Sequence, residues 1–235
     1  MRLIRALRQD LSFQYRHGFY HAYLIIGLLY IALLLYIPED FRTLATGLLL
    51  FSDPAMLGFF FVGAIILLER EEGIIEGLFV TPLRVMEYLM ARVISLSALA
   101  LVTAFLIAFI VLGSGFNYVL LLAGLSLTAI FFTLLGITLA VKVKTVNQYL
   151  ISSILYSIII AVPILEFLNI FDTFLFYLWP TRASLILILE AFGEQVACSE
   201  IIGSLLALLA WTIIGLFWAN RSFYKYVILR IGEKT

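Results

Sequence analysis

The chain has 235 residues, of which 64% are hydrophobic and 13% charged, and its formal net charge is zero. A soluble domain carries about 25% charged residues and about half apolar ones, so this chain lacks the polar surface to enclose a soluble core and reads as an integral membrane protein. Zero net charge gives no field that favours a nucleic acid, and the single cysteine, Cys198, excludes an internal disulfide.

The first predicted element is a basic amphipathic helix over residues 1–17. Leu3, Leu7 and Leu11 form an i, i+4 stripe with Ile4 beside it, while Arg2, Arg5, Gln9, Ser12 and Arg16 lie mostly elsewhere on the wheel. Such a helix lies in the inner membrane interface, with Arg2, Arg5, Arg8 and Arg16 as its basic residues. The plainer reading is a basic anchor that sets topology. The basic start lacks the early apolar run and small-residue cleavage site of a secretory signal.

A membrane helix needs about 20 mostly apolar residues. Six stretches qualify: residues 19–37, 54–72, 91–112, 118–141, 149–165 and 201–219. The second is wholly apolar only over residues 54–68, and Ser52-Asp53-Pro54 gives it a capping acid and a proline at the first position. Residues 44–51 before it are also apolar and are expected to dip into the bilayer.

Residues 164–189 are apolar too, but they contain Glu166, Asn169, Asp172, Pro180 and Arg182. A continuous span would bury several charges at about 2.5–3.5 kcal/mol each near the bilayer centre. Two short re-entrant helices on the outer face avoid that. Charge counting agrees. With six spans, Arg2, Arg5, Arg8, Arg16, Arg70, Arg84, Arg92, Lys142, Lys144, Arg221, Lys225, Arg230 and Lys234 fall on one side, and only Arg42 and Arg182 on the other. Basic loops stay in the cytoplasm, which puts both termini there. A seventh span would send the basic C-terminus outward. The expected fold is therefore an all-α polytopic membrane protein, a single domain over residues 1–235, with re-entrant helices over residues 166–189.

The loop between spans two and three reads EREEGIIEGLFVTPLRVMEYL from Glu69. Glu69, Arg70, Glu71 and Glu72 carry the second span out of the membrane, and Gly73 permits a sharp bend. Ile74, Ile75, Leu78 and Phe79 form one apolar face with Glu76 pointing away, which suits a short helix over residues 73–81. Thr81-Pro82 opens the next helix by capping. The plain reading is a solvated loop; the sharper one is a docking element for a cytoplasmic partner.

The run E-R-E-E-G-x-x-E-x-L-x-x-T-P-L-x-x-x-E-Y, Glu69 to Tyr88, closely resembles the acidic helix end, glycine, leucine and Thr-Pro-Leu of the permease subunits of type-2 ABC exporters, the ABC-2 family. The N-terminal interfacial helix is similar to that family's connecting helix, and the outer pair between spans five and six matches as well. DLSFQYRHGFYHAY, Asp10 to Tyr23, further resembles the permease subunits of fluoroquinolone exporters. The resemblance implies a transport subunit of the cell membrane rather than an enzyme. It implies that two permease subunits, identical or paralogous, dimerise around a pathway for export. It also implies that separate ABC ATPase subunits, carrying ATP and Mg, dock on a coupling helix. On that reading the coupling residues are Glu69, Glu72, Gly73, Ile74, Ile75, Glu76, Leu78, Phe79, Thr81 and Pro82.

The residues support this division of labour. A phosphate-binding P-loop needs Gly-Lys, and the chain contains no such pair. No cofactor or metal is expected on the chain itself. His17 and His21 share a helical face but lack further ligands. Ionisable residues fall at span ends only (Glu69, Arg92, Lys142 and Glu166), which argues against an ion-coupled transporter. Ser95, Ser97, Thr103, Ser126, Thr128, Thr133, Thr138, Ser152, Ser153, Ser157, Gly58 and Gly63 suit close helix packing. Tyr177 and Trp179 are expected in an aromatic belt at the outer interface, or as an exit gate. A six-span scaffold without transport is the alternative function.

Overall fold

The computed structural model describes residues 2–52, 56–79, 84–193 and 196–229, and among them every regular element is helical. In chain order these are α1 (Arg2–Arg16), α2 (Phe19–Tyr36), α3 (Glu39–Leu50), α4 (Met56–Glu71), α5 (Ile74–Phe79), α6 (Val85–Leu112), α7 (Tyr118–Ala140), α8 (Val146–Ala161), α9 (Ile164–Phe167), a 3₁₀ turn (Phe174–Leu178), α10 (Pro180–Ala191) and α11 (Cys198–Phe223), which runs into a π turn (Tyr224–Ile228). Among the described residues, four helices are long and apolar enough to cross a membrane: α2, α6, α7 and α11 with its π turn.

α7 is the central post. α4, α10, α11 and α6 all pack on it. The seam with α4 is made of small residues. Gly136 of α7 lies against the Phe59 backbone and Val62, and Gly58 of α4 lies against Thr133. Gly63 of α4 leaves the space that the Tyr149 ring of α8 fills, and the Tyr149 hydroxyl donates to the Phe59 carbonyl. In lipid, where apolar burial gives little drive between helices, such close approach supplies the van der Waals contact that holds a bundle. Thr128 and Thr133 place their hydroxyls against their own helix carbonyls at 2.6 and 2.7 Å, and Thr128 Oγ1 also lies within hydrogen-bond distance of Ser184 Oγ of α10, 2.8 Å away. No buried hydroxyl of this pair is left without an acceptor.

In the second apolar stretch, expected over residues 54–72, the described helix α4 covers Met56–Glu71. α3 precedes it along the same side of the bundle: Gly47 of α3 meets Leu189, at the height where Gly124 of α7 meets Leu187. α3 and α4 thus line α10 and then α7 in sequence order. α3 takes in most of the 44–51 stretch that was expected to dip into the bilayer, and Arg42 near its start folds back to donate to the Ile37 carbonyl at 3.1 and 3.3 Å. The predicted start at Asp53-Pro54 lies outside the described residues. Other helix ends also differ from the expected spans. α6 starts at Val85 rather than residue 91, α8 at Val146 rather than 149, and α11 reaches beyond residue 219 to Phe223. Thr145 caps α8 by accepting from Gln148 N at 3.2 Å.

The apolar segment between α8 and α11 is more deeply packed than a pair of helices on an outer face. Every residue of α10 except Glu190 is buried, among α3, α7 and α11. Its first turn is fixed by Thr181 Oγ1 donating to the Ile160 carbonyl at 2.6 Å, and its end by Asn117 N donating to the Ala191 carbonyl at 2.8 Å. Pro180 at its first position removes one donor that a helix start would otherwise leave unmet. Arg182, the charge that argued against burial, is met by Glu166, whose two oxygens accept from Nε at 2.8 and 2.9 Å.

α2 has only Tyr23 and Leu34 buried, and Leu24, Ile25, Leu28, Leu29 and Leu33 stand exposed. An all-round apolar helix on the rim of a bundle has hydrocarbon as its remaining neighbour.

Candidate functional site

Where α4 ends the chain turns sharply. Gly73 takes φ +69°, the left-handed region that favours glycine, and nothing lies within 4 Å of a side chain built there. Conformation alone therefore selects glycine at this corner. α5 follows at once. Ile75 is buried, packed with Ile66, Tyr88, Leu89, Tyr149 and Phe223, and Ile74 is half-buried beside α1. Glu71, Glu72 and Gly77 are exposed. Thr81 and Pro82 lie outside the described residues, as do the side chains of Glu76, Leu78 and Phe79.

Glu69, expected on a docking surface, is instead buried. Its carboxylate accepts from the Tyr88 hydroxyl at 2.6 Å and from Arg92 Nη2 at 2.6 Å. Arg92 Nη1 pairs with Asp10 of α1. Gln14 Nε2, one turn on, donates to Asp10 at 3.0 Å and to Ser95 Oγ at 2.9 Å, and Ser95 donates to Asp10. Burial pushes the Asp10 carboxyl above its ordinary range, and Arg92 and Ser95 oppose that shift. One guanidinium thus ties three helices, α1, α4 and α6, directly above the Gly73 corner. Arg70 adds a fourth anchor by donating to the Val143 carbonyl between α7 and α8 at 2.9 Å.

A charge with two buried carboxylate partners is costly to separate from either, so the network joins α1, α4 and α6 at this end. The sequence reading missed Asp10, Gln14, Tyr88 and Arg92 as members of one group. One signal was present: Asp10 is the only acidic residue before Glu39, on an otherwise basic helix, four residues from Gln14.

The structure places the remaining candidates elsewhere. Arg2, Arg5, Arg8 and Arg16 are exposed on α1. His17 stacks on Phe13 with ring centroids 4.0 Å apart and bonds its carbonyl through Nδ1 at 2.9 Å; His21 is exposed. Among the described residues no three potential metal ligands come together. Tyr177 lies over the Arg182 guanidinium at 3.7 Å, and Trp179 is half-buried as the cap of α10. The Leu178 carbonyl between them accepts from Trp211 Nε1 at 2.9 Å. Arg182, Tyr177, Glu200 and Ser204 border a cavity of about 280 Å³. Replacing Arg182 with methionine leaves the Glu166 carboxylate without its charged donor, a loss of about 1.5–3 kcal/mol for bonds to a charged group. The expected result is a lower thermal midpoint that Glu166→Gln partly restores in the double variant; independent, additive effects would contradict the pairing.

Apolar helices of this length define a multi-pass membrane protein. Comparison with known proteins agrees. Residues 1–231 match the fluoroquinolones export permease protein family. The fluoroquinolones export permease proteins of two Mycobacterium tuberculosis strains, CDC 1551 / Oshkosh and ATCC 25618 / H37Rv, are each 32% identical over 233 residues, covering 98% of this chain and 98% of each relative. The chain belongs to this family of export permeases, and the membership supports its resemblance to ABC-2 permeases.

Proposed function

We propose that this protein is the membrane-spanning permease subunit of an ATP-driven exporter of the cell membrane. α5 is its coupling helix, and ATP and Mg are held by separate ABC ATPase subunits docked beneath. Two permease subunits, two copies or a paralogous pair, enclose the export pathway. Each carries six crossings with both termini in the cytoplasm, α3 and α4 together making the second crossing and the segment from α9 to α10 re-entering from the outer face. The observation that carries this reading is the placement of α5. It leaves α4 at a glycine corner, is seated by Ile75, and stands under the Asp10–Arg92–Glu69 knot that joins three helices. A push on that helix has a rigid path into the bundle. The relatives' names make fluoroquinolones the first cargo to test.

The test is to co-express the chain with candidate ABC ATPase subunits, reconstitute the complex in nanodiscs and measure ATP turnover. Scrambling residues 74–81 is expected to reduce turnover to that of the ATPase alone while the permease still purifies as a folded complex. Turnover indifferent to that segment removes the coupling role. Failure to recruit any ATPase favours a scaffold without transport.

A further inference from the structure

We propose that the cleft between α1 and α5 binds the phosphate headgroup of an anionic phospholipid from the adjoining leaflet. Arg5, Arg8, Arg16, His17 and Ser12 line this cavity of about 420 Å³, and Ile74, the first residue of α5, closes it. Among the described residues, no carboxylate lines it. Arg5, Arg8 and Arg16 form no ion pair among the described residues. The one acid of α1, Asp10, is turned into the buried network instead. Three guanidiniums gathered around one cavity repel each other until an anion sits between them, and a phosphate is the oxyanion that a guanidinium fork fits best.

The helix itself points to a lipid source. Ile4, Leu11 and Tyr15 are seven and four residues apart and share one face, on which Ile4 is 70% and Tyr15 66% exposed. Arg8 borders this apolar edge on the helical wheel, and Ser12, Arg5 and Arg16 follow it round. Asp10 and Gln14 lie on the other border, against α6. A helix packed on the bundle with an apolar edge beside a basic one lies at headgroup depth, its apolar edge among acyl chains and its cations at the phosphates. A free phosphate or an acidic protein surface would use the cations and leave Ile4 and Tyr15 in water. Under the coupling role proposed above for α5, a lipid held here touches the coupling helix itself, so ATP turnover would depend on leaflet charge. The binding claim does not need that role.

The test uses the full-length permease alone, purified in mild detergent, offered equal phosphatidylglycerol and phosphatidylcholine and read by native mass spectrometry. The expected result is selective retention of phosphatidylglycerol, weakened about fivefold for each arginine removed in R5Q, R5Q/R8Q and R5Q/R8Q/R16Q. These side chains are exposed, so the variants should keep the wild-type thermal midpoint, and R5K/R8K/R16K should keep much of the preference. The proposal is overturned by equal retention of the two lipids. It is overturned too by a preference unchanged in the triple variant, or by full displacement of the lipid at low inorganic phosphate. Because the assay contains no ATPase, its failure leaves the exporter reading untouched, and the reverse also holds.

Discussion

Replacing Arg92 with methionine is expected to destabilise the protein by about 3–5 kcal/mol, the usual result of removing one partner from a buried ionic group. The side chains of Arg92, Asp10 and Glu69 are each no more than 7% exposed, so neither carboxylate can recruit water once the guanidinium is gone. The methionine fills much of the volume, so the loss is electrostatic rather than a cavity. The decisive comparison is the triple variant D10N/E69Q/R92M. Removing all three charges together is expected to recover most of the lost stability, because the desolvation of three ions disappears along with their attraction. Thermal unfolding in detergent, followed by tryptophan fluorescence, reads both. If the triple variant is as damaged as R92M, the network is not acting as a charge-balanced unit. If the rescued triple variant also couples poorly to an ATPase, the ions serve motion as well as stability. Lost turnover with restored stability would then separate the two roles.

Gly136→Ala is expected to destabilise the α4–α7 seam by about 1–3 kcal/mol through overpacking. A Cβ there would fall 2.6 Å from Val62 Cγ1 and 2.7 Å from the Phe59 carbonyl oxygen, and the backbone cannot step aside as a side-chain end can. Gly136→Leu should be worse. Gly203→Ala in α11 and Gly27→Ala in α2 are the controls. Nothing lies within 4 Å of either position, so both should be neutral or slightly stabilising, as glycine is a poor helix former. Equal midpoints for all three alanine variants would show that α4 and α7 do not pack as closely as the structure places them.

The long apolar helices were the most legible in the sequence. α2, α7 and α11 start within three residues of their predicted starts, because an uninterrupted apolar run fixes a helix wherever water is absent. The short helix after α4 was legible for a different reason: Gly73 breaks the run where only a left-handed residue turns the corner. α3 was legible only as an apolar dip. Its charges are local in sequence, and a hydropathy reading gives each charge the same weight whether or not it finds a partner. The same limit hid the depth of α10. Arg182 counted as a penalty until Glu166, sixteen residues earlier in a different helix, was placed against it. At the candidate site, the glycine, the isoleucines and the basic helix could be named, but not the ionic knot that joins them.

The sequence by itself determined that the chain is helical, belongs to a membrane and has a short run resembling an export permease between two apolar runs. Those properties are sums over neighbouring residues, and solvent transfer along a helix is close to additive. Only the tertiary structure decided which charges are buried. Asp10 and Ser95 are 85 residues apart and meet beside Arg92. The free energy of a buried ion is set by the partner that reaches it in space, and nothing in either local segment names that partner.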